Sequence, residues 1–147
     1  MSNVSTGEAA SRTVVVEGDS PAEVHRTRDV ARAFAGNLDP VVEDDAVEAL
    51  TLVVTELASN ALRHGGGRYT LQLDATAHTL SVAVSDLNSV SPHERTPDMT
   101  GATGGFGWRM IRRLTNYVAI TPGPHPGKTI HACLTRCPTG GAVPAMA

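Results

Sequence analysis

The sequence predicts an α+β domain, a two-layer sandwich in which helices pack on one face of a mixed, largely antiparallel sheet. Apolar residues recur with helical spacing in two long segments and alternate with polar residues in several short ones. Pairs of the short segments are close enough in sequence for hairpins, and a strict alternation of strand and helix is missing. The 147 residues suffice for one domain with its own core.

One domain is expected over 12–136, between flexible ends at 1–11 and 137–147 in which small and polar residues prevail. Hydrophobic residues make up 41% of the chain and charged residues 18%, which is an ordinary globular balance. The net charge of −3, with Lys and Arg scattered, argues against direct binding of nucleic acid. No apolar run is long enough to cross a membrane and the N-terminus does not resemble a signal peptide, so a cytoplasmic location is expected.

The two longer helices carry recognisable start signals. Ser20 offers an N-cap, Pro21 suits the first helical position and Glu23 supplies the acid of a capping box. These signals predict a helix over 21–36. A second helix is expected at about 43–63, because an acidic first turn precedes apolar residues at helical spacing.

The remaining elements are short. The predicted strands are 12–18, 68–74, 79–86, 117–121 and 129–135. A segment without periodicity, 87–103, separates the third strand from a short helix over 104–114. A structureless segment of that length in a compact domain is usually functional or disordered.

Three polar side chains stand out on the second helix, in the stretch TELASNALRHGGG. Glu56, Asn60 and His64 follow one another at four-residue steps, so they share one stripe at the edge of the apolar face. Burying a carboxylate or an amide without a partner is costly. Either backbone groups and solvent satisfy Glu56 and Asn60, or the two point into a shared binding site. The glycines after His64 are expected only to end the helix.

Two further features lie downstream. Asp86 has the parity of the apolar residues in its strand, which puts a carboxylate on the buried face unless the strand end turns it out to solvent. Gly105 and Gly107 open the short helix, where glycines let backbone N–H groups approach a phosphate closely. Neither this cluster nor PGPHPGKT near the C-terminus completes a dinucleotide or phosphate-loop motif.

In this order, the motifs resemble those of the histidine kinase-like ATPase (GHKL) family. The sequence is most similar to the small bacterial anti-sigma factors that double as serine kinases, including stand-alone actinobacterial relatives. The resemblance covers roughly 14–134, and TELASNALRHG matches the family's N-box closely. Histidine kinases generally lack an acid at the position of Glu56, so the match indicates the anti-sigma branch or an ATPase.

The resemblance implies roles for the residues at the phosphate end of a nucleotide site. Asn60 would coordinate the Mg²⁺ that bridges the phosphates of ATP. Glu56 would be the general base that accepts the proton of an attacking serine hydroxyl. Gly105 and Gly107 match the second glycine box, whose backbone wraps the phosphates, and 87–103 would be the ATP lid.

At the base end, the resemblance implies that Asp86 binds the adenine amino group and that Thr129 assists nearby. The chain departs from the family pattern here, since Asn88 and Val90 stand where the first glycine box expects glycines. Trp108 replaces the usual leucine of the second glycine box and is expected to pack rather than bind.

The function implied is a cytoplasmic regulator that binds ATP and Mg²⁺, sequesters a sigma factor and phosphorylates a serine on a STAS-type anti-anti-sigma protein. The alternative is a non-catalytic module whose lid and partner surface are ordered by ATP. Asn88 and Val90 favour this alternative, while the intact Glu56 argues against it. The kinase domain of a two-component system is disfavoured, because no segment is left for a phosphoacceptor helix. A homodimer is suggested by analogy alone.

Overall fold

The computed structural model describes residues 12–88, 105–123 and 126–136, with only the backbone at 12 and 105–107. The strands are β1 (Arg12–Gly18), β2 (Tyr69–Ala75), β3 (Thr79–Asp86), β4 (Tyr117–Pro122) and β5 (Lys128–Thr135). The helices are α1 (Pro21–Gly36), α2 (Asp44–His64) and α3 (Gly105–Leu114). Each predicted element is present, with its ends within one residue of the predicted ones. The two ends that were expected to be flexible, and most of the proposed lid, lie outside the described residues.

The strands form one sheet in the order β1-β2-β3-β5-β4. Every neighbouring pair is antiparallel, so the sheet is wholly antiparallel over the described residues rather than mixed. β3 lies beside β5, with Asp86 opposite Lys128 and Ser85 opposite Thr129. Residues that lie directly opposite each other in an antiparallel pair share a face of the sheet. This register therefore decides which side chains meet at the end of β3.

The helices cover one face of the sheet. α2 packs on β2, β3 and β5, while α1 and α3 both pack against α2. The core is aliphatic, and its largest fully buried side chains include Leu50, Leu57, Leu71, Leu73, Leu80 and Ile111. Trp108 is 7% exposed and joins this core, so the expectation that it packs is confirmed. In the described part of the chain, no helix combines the length and apolarity that crossing a bilayer requires.

The capping box expected at the start of α1 does not form. Ser20 makes no side-chain hydrogen bond to the helix, although its carbonyl accepts a bond from the Glu23 backbone N–H at 3.0 Å. The Glu23 carboxylate pairs with Arg26 instead. The Glu23 side chain therefore pairs with a charged residue one turn along the helix and not with the N-cap residue.

Candidate functional site

The polar stripe lies on a half-buried side of α2. Glu56 and Asn60 are partly exposed, one turn apart, next to the buried Leu57 and Ala61. Arg63 joins them, since its Nη2 lies 3.3 Å from Asn60 Oδ1 and 3.6 Å from Glu56 Oε2. The structure thus brings the carboxylate and the amide into one cluster around a guanidinium. Arg63 is itself exposed, and its spacing of three and seven residues from Asn60 and Glu56 places it on the same side of the helix.

Burial raises the pKa of the Glu56 carboxyl, and the nearby Arg63 guanidinium offsets part of that rise. The shift arises because the charged form loses hydration when the side chain is covered. A carboxylate with a raised pKa is a better proton acceptor than an exposed one, so Glu56 has the environment of a general base.

Asp86 lies on the helix-covered face, as its parity predicts, and is 6% exposed. It forms an ion pair with Lys128, which is 5% exposed. Lys128 Nζ lies 2.8 Å from Asp86 Oδ2 and 3.1 Å from Oδ1, and it donates a further bond to the Asn88 carbonyl at 2.9 Å. An ammonium has three donors, so all three have acceptors here.

Thr129 lies on the opposite face of the sheet from Asp86, because successive side chains of a strand alternate. Its Oγ1 lies 2.8 Å from Ser85 Oγ and donates to the Gly123 carbonyl at 2.7 Å. The structure therefore does not bring Thr129 and Asp86 together. The place beside Asp86 belongs to Lys128, which sequence reasoning missed although it has the parity of the apolar residues of β5.

Hydrogen bonds fasten the end of α2 to the segment after β3. The Leu87 N–H donates to the Gly65 carbonyl at 2.8 Å, and Asn88 Nδ2 donates to the His64 carbonyl at 2.7 Å. The Asn88 backbone N–H also donates to Asp86 Oδ1 at 2.9 Å. Asn88 departs from the family pattern. Its side chain links the segment after β3 to the end of α2, and a glycine, which has no side chain, could not form this hydrogen bond. Val90, the other departure, lies outside the described residues.

Gly65 is a point of close approach between α2 and β3. Its φ of −108° is open to any residue, so the constraint is one of space. A Cβ added there would lie 2.5 Å from Asp86 Oδ2. Gly65 therefore does more than end the helix, which was the whole role that the sequence indicated.

Substituting Gly65 by alanine is expected to lower the free energy of unfolding by about 1–3 kcal/mol, because the new methyl group and Asp86 cannot both keep their places. Urea unfolding of the purified protein measures this. Gly36→Ala, at the end of α1, is the matched control, since nothing lies within 4 Å of its added Cβ. The control is expected to be neutral or to gain about 0.5 kcal/mol. Equal losses in both variants would contradict the steric explanation.

Gly105 and Gly107 occupy the first turn of α3, so a helix does open at the glycine cluster as predicted. The first N–H groups of a helix have no partner within it, and such groups suit an anion. The phosphate-binding role of the two glycines stays a prediction.

A cavity of about 360 Å³ borders Asp86 at the end of the sheet. Its lining residues are Glu17, Gly18, Asp19, Glu23, Arg68, Tyr69, Thr70, Ser85, Asp86 and Leu87. Apart from Asp86, the charged ones among these are three acids and one arginine. That balance disfavours a polyphosphate in this cavity.

The sequence that forms this fold, with its helix stripe and its buried aspartate, matches a known family. Residues 19–134, well over half of the chain, match the family model described as the histidine kinase-like ATPase domain. The chain belongs to the histidine kinase-like ATPase family. The match spans α2 with its N-box, Asp86 and the glycines of α3, so the resemblance stated from the sequence is confirmed.

The family fold also appears among solved structures. A chain in the crystal structure of the SiaB–SiaC complex from Pseudomonas aeruginosa is similar to this protein with a TM-score of 0.56. The similarity covers 83% of this chain and 89% of that one at 12% sequence identity, which shows a shared fold. Among curated proteins, none matches this sequence significantly. The predicted α+β sandwich of the histidine kinase-like ATPases is therefore confirmed.

A histidine kinase-like ATPase domain implies nucleotide binding, typically with Mg²⁺, and Asn60 suits that ion. Mg²⁺ takes oxygen ligands and is commonly held by one or two protein groups together with substrate phosphates. Asn60 offers an amide oxygen whose present bond to Arg63, at 3.3 Å, is long for a hydrogen bond. A cation bound to Asn60 would therefore displace only this weak contact, so the residues present fit the ion.

Proposed function

We propose that this protein is an ATP-binding regulator of the anti-sigma type that acts in the cytoplasm. It phosphorylates a serine on a STAS-type anti-anti-sigma protein and sequesters a sigma factor when that partner is absent. The observation that carries the proposal is the half-buried carboxylate of Glu56, one helical turn from Asn60, within a histidine kinase-like ATPase domain. Binding of nucleotide alone needs no acid at that position.

The proposed transfer uses two side chains of α2. Asn60 would hold Mg²⁺ through its side-chain oxygen, and the ion would neutralise phosphate charge when bound. Glu56 accepts the proton of the serine hydroxyl while the serine oxygen bonds to the γ-phosphorus. The bond from that phosphorus to the β–γ bridging oxygen breaks, and ADP leaves. Arg63, which already lies 3.6 Å from the Glu56 carboxylate, keeps that side chain oriented.

The second candidate is a module that binds ATP without transferring phosphate. Two observations favour it, namely the Asn88 side chain in place of a glycine and the ion pair that occupies Asp86. In this alternative, nucleotide orders a surface for the partner and Glu56 has no proton to accept.

Incubation with γ-labelled ATP, Mg²⁺ and the STAS-type protein encoded nearest to its gene distinguishes the two candidates. The proposal expects label on one serine of the STAS-type protein, located by peptide mapping. If the protein binds nucleotide but labels no such partner, the result would contradict the proposed kinase activity and favour the non-catalytic module.

Asn60→Ala is expected to weaken binding of ATP in Mg²⁺ by at least about tenfold, since even outer-shell groups of metal sites contribute that much. Titration calorimetry in Mg²⁺ and in EDTA measures it. Wild-type affinity should fall in EDTA, whereas the affinity of the variant should already be low and respond little. Ser59→Ala, the preceding residue of α2, is the matched control and should keep the wild-type dependence. Unchanged binding by Asn60→Ala would mean that Asn60 does not hold the ion.

A further inference from the structure

The carboxylate assigned to the adenine is already occupied by the chain itself. Asp86 Oδ1 accepts bonds from the Asn88 backbone N–H and from Lys128 Nζ, and Oδ2 accepts the shorter bond from the same ammonium at 2.8 Å. The side chains of Asp86 and Lys128 are 3% and 6% exposed. A base edge that approaches Asp86 therefore meets oxygens that are bonded to a cation.

The backbone restricts Asp86 from another side. Gly65 lies so close that a Cβ on it would stand 2.5 Å from Oδ2 and 2.7 Å from the carboxyl carbon. The carboxylate is thus held between Gly65, which follows α2, and Lys128 on β5, so it cannot turn toward α2 and away from the ammonium.

We propose that Lys128 is a specificity-determining residue that, by pairing with Asp86, removes most of the site's preference for adenine over guanine. The inference rests on the proposed nucleotide binding and concerns only its base end. Asp86 is then not a simple adenine ligand, because the Lys128 ammonium neutralises the carboxylate that would accept a hydrogen bond from the base.

The chemistry of the two purines gives the direction. In a purine bound with position 6 toward residue 86, adenine presents an amino group, which donates to a free carboxylate, whereas guanine presents a carbonyl, which a free carboxylate repels. A carboxylate paired with an ammonium is a poor acceptor for the adenine amino group. The ammonium, in contrast, can donate a hydrogen bond to the guanine carbonyl. The pair therefore lowers the affinity for ATP and raises that for GTP, relative to Asp86 alone.

Calorimetric titration of the wild-type protein with ATP and with GTP, both in Mg²⁺, is the first test. The two dissociation constants are expected to lie within about tenfold of each other, because the contact worth ten- to hundredfold to a charged acceptor is absent. A preference for ATP of a hundredfold or more in the wild type overturns the proposal and leaves nucleotide binding intact.

Lys128→Met is the second test, since it removes the ammonium and keeps the aliphatic length. ATP should bind more tightly and GTP more weakly, so the ratio moves toward ATP by at least about tenfold. His131→Gln, on the other face of β5, is the matched control and should keep the wild-type ratio. A ratio unchanged by Lys128→Met overturns the proposal.

Asp86→Asn combined with Lys128→Met keeps the test decisive if the single variant fails to fold. This double variant has neither charge, so its ratio should stay within about tenfold of the wild-type ratio, and a strong return of adenine preference overturns the proposal. Binding of neither nucleotide by the wild type or the double variant, with both folded by circular dichroism, instead overturns the proposed nucleotide binding and the inference with it.

Discussion

Replacing Glu56 by glutamine is expected to slow serine phosphorylation about 10²–10⁴-fold, the usual contribution of a positioned general base. Glutamine keeps the size of the side chain but cannot accept the hydroxyl proton. Binding of ATP in Mg²⁺ should change little, because Asn60 and the backbone of α2 are untouched. Initial rates with a saturating STAS-type partner, together with calorimetric ATP affinities, measure the two effects separately.

The pH dependence follows from the raised pKa of Glu56. Only the ionised carboxylate accepts a proton, so the wild-type rate should fall on acidification at a pH above the ordinary glutamate value of 4.5. Ionising a carboxyl whose pKa is raised by folding disfavours the folded state, so Glu56→Gln should gain stability relative to wild type as the pH rises to neutrality. Glu48→Gln, an exposed acid of the same helix, is the matched control for rate and stability. Equal rates in the wild type and Glu56→Gln would remove Glu56 from the mechanism.

Asp86→Ala is expected to lower the free energy of unfolding by about 3–5 kcal/mol, because it leaves the buried Lys128 ammonium without its counter-charge. Chemical denaturation at neutral pH measures the loss. Asp29→Ala is the control, since Asp29 is an exposed acid on α1 with an ion-pair distance of 4.0 Å, and it should change stability by less than about 0.5 kcal/mol.

The double replacement by Asn at position 86 and Met at position 128 separates charge from packing. Replacing both members of a buried pair by neutral groups is often close to neutral, so this variant should be clearly more stable than Asp86→Ala. If Asp86→Ala and Asp29→Ala were equally stable, the Lys128 ammonium would not depend on Asp86 for its burial.

The elements could be predicted because each depends on local periodicity. Alternation of apolar residues along β3 was enough to place Asp86 on the buried face, and helical spacing was enough to place Glu56 and Asn60 on one stripe. The partner of Asp86 could not be found in the same way. β3 and β5 are separated along the chain by a helix and a strand, so the register that puts Lys128 opposite Asp86 depends on the sheet order.

The space around Gly65 was hidden from the sequence for a related reason. A glycine at a helix end reads as a stop signal, and only the packing of α2 against β3 reveals that it also makes room for a carboxylate. The predicted capping box was wrong for a local reason, because Glu23 forms an ion pair with Arg26 and so does not bond to the N-cap residue. The stripe on α2 was correct in its geometry, while its chemistry is a proposal that the variants above can test.

α2 also fixes a distance within the proposed site. From Glu56 to His64, its last residue, α2 advances about 12 Å at about 1.5 Å per residue, and it joins the proposed catalytic end to the proposed base end. One inserted residue would turn the stripe by about 100° relative to Asp86, since a turn takes about 3.6 residues. In the proposed site, the length of this stretch therefore fixes the distance between the two ends, and a chain that keeps both ends must also keep the number of residues between them.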